Sequence, residues 1–455
     1  MKKVFMFLFI LAFIKANAQV NIINLIPQPV EIKQSSGFYL LTKTTTISFN
    51  STESRKLAEM LVQKMIIPTG FNLTAHQGKT ADIELNINDL PNLQIGKEGY
   101  VLEVSAKGVK ISANQTAGLF YGVQTLLQLL PPEIESRQLT KTDWKIPKVK
   151  ITDYPRFGWR GIMLDVSRHF FSKEEVKAYI DQISKFKFNT FHWHLTDNHG
   201  WRIEIKSLPK LTSVGAWRVA RAGFFGMRPE QLLEGETGTY GGFYTQEDIK
   251  EIIKYAEDRH ITIIPEIDVP GHCMAALAAY PELSCTKDTH AHVNSGTGWH
   301  TWYDNDGRRH LIEGSLNPSD ENVYEFLDKV FTEVATLFPS PYIHVGGDEV
   351  VKKLWAKDPG CQALMKKLNT RHVEDLQGYF MNRVEQILKS KGKRLIGWDE
   401  ILEGSISPEA TVMSWRGIEG GIEAAKMGHE VVMTPYKFTY LDLQQGEASI
   451  EPIVY

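Results

Sequence analysis

Apolar positions follow two different rhythms along this chain, and the change falls near residue 150. Before it, short alternating runs prevail. Val101-Leu102-Glu103-Val104 and Val109-Lys110-Ile111-Ser112 flank Lys107-Gly108, a period-two pattern around a turn that predicts a β-hairpin with one buried face. Residues Gln115 to Leu130 instead space Leu119, Phe120, Val123, Leu126 and Leu127 along one helical face, and Pro131-Pro132 stops the helix. Residues 19–150 are therefore expected to form a small α+β domain, and nothing in them suggests chemistry.

From about residue 155 the rhythm becomes an apolar strand followed by an amphipathic helix. The predicted strands are Gly161–Val166, Thr190–Leu195, Ile261–Ile267, Tyr342–Val345, Arg394–Trp398, Thr411–Trp415 and Val431–Thr434. Ser172 and Glu175 form a capping box ahead of Val176, Tyr179, Ile180 and Ile183. Thr245 and Asp248 do the same ahead of Ile249, Ile252, Ile253 and Ala256, and residues 323–337 supply a third helix. Alternating β and α units predict a parallel sheet, open or closed.

Polar residues argue for closure. Asp165, Arg168, Asp197, Glu266, His272, Asp348, Glu349, Trp398 and Trp415 all follow the C-terminal ends of successive strands. A (β/α)₈ barrel gathers its chemistry on that face, whereas an open sheet concentrates it at one switch point. The predicted fold class is thus α/β, a TIM-type (β/α)₈ barrel over residues 151–455 behind the small α+β domain. Only seven strands are counted before Tyr455, so the barrel is expected to lack its last unit and the chain to be a fragment of a longer protein.

Charge and composition narrow the partners. A formal net charge of -3 with 42% hydrophobic residues argues against nucleic acid as the main partner. Lys2-Lys3, the apolar run Val4 to Ile14 and Ala16-Asn17-Ala18 read as a secretory signal over residues 1–18, with no membrane span after its removal. The expected location is exported, periplasmic or secreted. Three cysteines are no disulfide framework: a Cys273–Cys285 bridge and buried free thiols both remain open. No C-x-x-C or H-E-x-x-H pattern supports a zinc site, and no cofactor or metal is expected. His192 and His194 alternate along one strand and point the same way, as ligands would, but barrel packing is preferred because no third ligand is evident.

The most informative stretch is His344-Val345-Gly346-Gly347-Asp348-Glu349. A short buried strand runs into two glycines that free the backbone, and two carboxylates follow side by side. The ordinary glycosidase plan sets one carboxyl on each side of the sugar, roughly 5–9 Å apart. Adjacent carboxylates suit a different division of labour, in which one protonates a leaving group and the other steers a nucleophile belonging to the substrate. An acidic pair that binds a metal or caps a helix is the plainer alternative.

Taken together, Trp159–Phe170 (WRGIMLDVSRHF), Phe191–Asp197 (FHWHLTD), Ile264–His272 (IPEIDVPGH), Leu316–Pro318 (LNP) and His344–Glu349 (HVGGDE) resemble glycoside hydrolase family 20, the exo-acting β-N-acetylhexosaminidases. The resemblance implies that Glu349 is the general acid and later base. It implies that Asp348 orients the substrate's 2-acetamido group, whose oxygen attacks the anomeric carbon to give an oxazolinium intermediate with overall retention. It further implies that Asp197 and His272 support the acid, that Arg168 grips sugar hydroxyls, and that Trp398 and Trp415 wall the acetamido pocket. Tyr440 would hydrogen-bond the acetamido oxygen, and Asp442 would lie near the sugar hydroxyls. The implied substrates are glycans or chitin oligosaccharides ending in N-acetylglucosamine or N-acetylgalactosamine.

Family members carry a further Trp and Glu after the eighth strand, and this sequence stops before them. That leaves a sugar-binding pseudoenzyme as the alternative function, with a metal-dependent hydrolase using His192 and His194 as a third. The stretches Ser213–Gly242 (Arg218, Arg221, Arg228) and Thr286–Arg309 (Trp299, Trp302, Tyr303) either shape the aglycone side or are plain surface loops.

Overall fold

A computed structural model describes residues 23–220, 235–294, 301–303, 309–311 and 314–441. Residues 1–18, with the expected signal, lie outside it. The chain forms two compact units, 1–155 and 156–455. The division falls a few residues beyond the expected boundary at 150, because the strand Lys145–Asp153 runs across that position inside the first unit's sheet.

That sheet has seven strands, ordered Glu31–Leu40, Lys145–Asp153, Tyr100–Ser105, Gly108–Ala113, Ile83–Ile87, Thr46–Phe49 and Thr74–Gln77. The predicted hairpin is present, with Val101 opposite Ser112 and Val104 opposite Val109. Gly108 sits at φ +141°, where a Cβ would come within 2.3 Å of the Asp82 carbonyl oxygen. Two helices, Thr52–Thr69 and Thr116–Leu129, bury Leu57, Leu61 and Met65, and Leu119, Phe120, Val123 and Leu126, in this unit's core.

The second unit is built on seven parallel strands lying side by side in chain order: Gly161–Asp165, Thr190–His194, Thr262–Glu266, Tyr342–His344, Arg394–Trp398, Thr411–Ser414 and Val431–Met433. All seven predicted strands are there, in the sequential parallel order of a TIM-type barrel. Side chains alternate between two surroundings. Phe191, Trp193, Ile263, Ile343, Leu395 and Val412 join the large core that also holds the helical residues Ile180, Ile183, Ile252 and Val330. Ile264, Ile396, Trp398 and Met413 make a separate inner cluster, and Ile264 is in register with His192. The two histidines of the second strand therefore belong to the inner layer, where polar groups need partners.

Both capping boxes are realised. Helix Lys173–Lys185 starts at Ser172, and helix Gln246–Glu257 starts at Thr245. Thr245 accepts the Asp248 N–H at 3.1 Å, and Asp248 in turn accepts the Thr245 N–H at 3.1 Å. Thr245→Ala removes one of these bonds and is expected to cost about 1 kcal/mol in urea unfolding. An unchanged midpoint would show that the cap contributes nothing here. Among the described residues, no helix is long and apolar enough to cross a membrane.

Candidate active site

The fourth strand ends at His344, and the chain then turns through Gly346 (φ +65°) and Gly347 (φ +93°). Only glycine fits the first of these: a Cβ there would lie 1.8 Å from Asp268 Oδ1. Glu349 follows with φ +48°, and His272 has the same left-handed value. Such backbone in a non-glycine residue costs on the order of 1 kcal/mol and persists where the surroundings hold it.

The turn brings both carboxylates to one imidazole. His272 Nε2 lies 3.5 Å from Asp348 Oδ2 and 3.3 Å from Glu349 Oε2. On its other side, His272 Nδ1 is 3.4 Å from Asp197 Oδ1. Asp197 Oδ2 is 2.7 Å from Arg168 Nη2 and 3.0 Å from His194 Nε2. An unbroken polar line thus runs from Arg168 through Asp197 and His272 to the acidic pair. Asp197 is no helix cap: Thr196–Asp197 pairs with Gly200–Trp201 as a short antiparallel bridge. Arg168 also makes the ion pair with Asp165, at 2.9 Å.

Burial and charge act in opposition along this line. Burial alone would raise the Asp197 carboxyl, but Arg168 and His272 outweigh it and hold the group well below the usual carboxylate range. Burial would lower His272, yet Asp197 and Asp348 raise it well above an ordinary histidine. Asp348 is raised by burial, with the His272 charge opposing. Exposure separates the pair: the Glu349 side chain is 35% exposed and that of Asp348 only 16%. Among the described residues, Asp348 Oδ1 is buried with no hydrogen-bond partner, and so is Arg168 Nε.

A second network lies beneath. Glu266 Oε2 bonds His194 Nδ1 at 2.6 Å, and its Oε1 accepts the Trp398 indole N–H at 3.0 Å. His192 Nε2 lies 2.7 Å and His344 Nδ1 3.2 Å from the same carboxylate. The third ligand that sequence could not find for His192 is thus supplied: His192, Glu266 and His344 are close enough to hold an ion. Hydrogen bonds already use Glu266 and His344 Nδ1, however, while among the described residues His192 Nε2 is buried beside Glu266 without a directed hydrogen bond. Each Glu266 oxygen takes a donor, and His344 Nδ1 accepts the Gly346 N–H at 3.1 Å. Burial pushes His344 down to about 4, so it is neutral. His194 and His344 serve as hydrogen-bonding partners in the barrel interior.

The aromatic residues occupy different depths. Trp398 is buried among Ile264, Ile396 and Met413, a floor more than a wall. Trp415 is partly exposed, donates to Glu400 Oε2 at 2.9 Å and stacks on Tyr440 with centroids 6.3 Å apart and planes 18° from parallel. Burial pushes Glu400 up to about 8. Asp442 lies outside the described residues, as do Arg221, Arg228 and Trp299. In the two uninterpreted stretches, Trp217–Arg218 pairs with Tyr240–Gly241 and Thr301–Tyr303 with Arg309–Leu311.

Sequence reasoning passed over Asp268 and Glu400, and noted Glu266 only as a strand-end acid and His194 only as a possible ligand. Asp268, Asp348 and His272 present polar atoms within 4.8 Å of one another, and burial together with Asp348 raises Asp268 well above the carboxylate range. The signal was available: Glu266, Asp268 and Glu400 stand at or just after strand ends, the same placement that singled out Asp348 and Trp398.

Comparison with known proteins bears on this geometry. The catalytic-domain model of glycosyl hydrolase family 20 matches residues 157–455, and the model of that family's domain 2 matches 22–154. A β-hexosaminidase of Porphyromonas gingivalis is 42% identical over 439 residues, 95% of this chain and 52% of that protein. A β-hexosaminidase of Vibrio furnissii is 40% identical over 94% of this chain and 66% of its own length. The structure is similar to that of a Vibrio harveyi family 20 exo-β-N-acetylglucosaminidase in complex with N-acetylglucosamine, with a TM-score of 0.77 at 38% identity, covering 92% of this chain and 62% of that one. The chain thus spans between half and two thirds of the length of these relatives.

Proposed function

Because this chain belongs to glycosyl hydrolase family 20, we propose that it carries the chemistry of an exo-β-N-acetylhexosaminidase. The substrate class is glycans or chitin oligosaccharides with a terminal, non-reducing N-acetylglucosamine or N-acetylgalactosamine. The basic and apolar start of the chain supports export to the periplasm or beyond the cell. The observation that carries the reading is the acidic pair at His272: one carboxylate partly exposed, its neighbour half-buried with a buried, unused acceptor atom.

In this mechanism Glu349, the more accessible acid, protonates the glycosidic oxygen as the bond to the anomeric carbon breaks. Asp348 Oδ1 accepts the acetamido N–H, which increases the negative charge on the acetamido oxygen and aims it at the anomeric carbon. Attack by that oxygen closes an oxazolinium ring. Glu349, now a carboxylate, takes a proton from the water that reopens the ring, so configuration is retained. His272 lies within reach of both carboxyls, and Asp197 and Asp348 stabilise its protonated form, whose charge in turn favours an ionised Asp348. Tyr440, stacked on Trp415, is suited to donate to the acetamido oxygen. Trp398 and Trp415 offer apolar surface for the methyl group and the sugar face. Arg168, with its unpartnered Nε, is suited to sugar hydroxyls, with Asp442 as a second contact.

The test is a pair of substrates. An aryl β-N-acetylglucosaminide should release its chromophore, while the matching β-glucoside, which lacks the acetamido nucleophile, should be inert. Asp348→Asn should lower kcat/KM on the first by about 10²- to 10³-fold, the usual loss of one preorganised electrostatic group. Comparable hydrolysis of the glucoside would defeat the mechanism, and sugar binding without turnover would point to a pseudoenzyme.

A further inference from the structure

Two of the three thiols meet at a place the acidic cluster does not use. Cys285 follows the short helix Met274–Ala279 and the turn Pro281–Leu283, downstream of His272. Cys361 is the third residue of helix Pro359–Lys367, downstream of Glu349. Their sulfurs and a carboxylate oxygen of Asp358 lie within 4.8 Å of one another. The pocket is firmly built. Asp358 caps the helix by accepting the Cys361 N–H at 2.8 Å, and the Cys361 thiol reaches Asn317 Oδ1 at 3.3 Å. Trp355 donates its indole N–H to the Leu316 carbonyl at 3.0 Å and packs with Cys361 and Leu376 in a small buried cluster that Cys285 joins from the edge. The third thiol, Cys273, instead donates to the Pro270 and Gly314 carbonyls, at 3.3 and 3.6 Å.

The two sulfurs are chemically unequal. Cys361 is buried in the first turn of a helix, while Cys285 is partly exposed. The contact with Cys285 lowers the Cys361 thiol, and the same contact, with burial, raises Cys285. Sequence spacing left a Cys273–Cys285 bridge and free thiols both open, and the fold sets Cys361 beside Cys285.

We propose that Cys285 and Cys361 form a redox-active pair that closes to a disulfide, with a low-molecular-weight disulfide as oxidant. The bridge would tie the segment after His272 to the segment after the acidic pair. Cys285 is the sulfur that a bulky oxidant can reach, so it loses its proton and attacks in spite of its raised pKa, forming a mixed disulfide and releasing one thiol. The lower-pKa but buried Cys361 is kept for the second step. The Cys361 thiolate then attacks the Cys285 sulfur, forming the protein disulfide and releasing the second thiol. Two protein thiols are oxidised, one external disulfide is reduced to two thiols, and the two protein protons pass to the leaving thiolates.

The experiment incubates the reduced full chain with glutathione disulfide, alkylates it in denaturant and maps its peptides without reduction. The expected result is one cross-linked pair holding Cys285 and Cys361, with Cys273 alone alkylated. The thermal midpoint of this oxidised form should exceed that of the reduced form by about 5–10 °C, the scale for a bridge closing a long loop. In Cys361→Ser, oxidation should stop at a mixed disulfide on Cys285. Three alkylated cysteines in the wild type, a bridge to Cys273, or glutathione left on Cys285 would overturn the proposal. Protection of the thiols by added zinc with no bridge would do so as well, by making the cluster a metal site.

Discussion

Replacing Glu349 by glutamine is expected to lower kcat/KM toward a β-N-acetylglucosaminide with a poor leaving group by about 10³- to 10⁴-fold. Glutamine keeps the shape of the side chain and demands no new backbone geometry at φ +48°. It can neither give a proton to the glycosidic oxygen nor accept one from water. A dinitrophenyl leaving group departs without protonation, so kcat/KM for that substrate, which reports only the steps through bond cleavage, should fall far less. His272 lies between Glu349 and Asp348, so the substitution leaves the Asp197–His272–Asp348 line in place. Equal losses with good and poor leaving groups would show that Glu349 is not the acid. A small loss with both would move the acid elsewhere, to Glu400 or Asp268, whose carboxyls burial raises.

The second large effect is on stability. Glu266 is wholly buried and accepts hydrogen bonds from two strands, from His194 and from the Trp398 indole, with His192 and, from a third strand, His344 close beside it. Glu266→Ala leaves the His194 charge and the Trp398 N–H buried without their partner, and is expected to cost about 3–5 kcal/mol in chemical denaturation. The sign of the pH dependence follows from two shifts. Burial would raise Glu266, but the surrounding histidines outweigh it and hold its folded pKa well below the usual carboxylate range. Its contribution is therefore complete above the unfolded carboxylate value and is lost as pH falls through the depressed folded one. His194 behaves in the opposite sense. Burial would lower it, but Glu266 and Asp165 raise it well above 6.5. Its contribution is complete below about 6.5 and fades as pH rises through the elevated folded value. The difference between wild type and Glu266→Ala should thus be widest between roughly pH 4.5 and 6.5 and shrink on both sides. A difference independent of pH would assign the loss to a packing cavity instead of charge.

Both effects concern residues whose importance sequence reveals unequally. Asp348 and Glu349 announce themselves, because two glycines and two adjacent carboxylates at the end of an apolar strand have few structural uses. The seven strands and both capping boxes were equally legible, since periodicity and capping are local properties read within one turn or one pleat. Glu266 was visible only as an acid at a strand end. Its weight comes from partners contributed by strands that are distant in sequence, and no local pattern encodes that convergence. His192 posed the same problem: as one residue of an alternating strand it looked like a ligand short of a partner, and its neighbours arrived from two other strands. The cysteines show the limit most plainly, because spacing left a Cys273–Cys285 bridge and free thiols both open, while the fold sets Cys285 beside Cys361.

The sequence by itself determined the strand–helix alternation, the small α+β domain ahead of the barrel, the family and the identity of the acidic pair. Each of these depends on residues within one element or one contiguous motif. Only the tertiary structure decided that Arg168, Asp197 and His272 form one line to that pair, that Glu266 anchors the histidines, and which thiols meet. The physical reason is that such contacts join side chains from separate strands. Their distances are set by how neighbouring strands register and how loops return, and a linear pattern of apolar and polar residues does not carry that information.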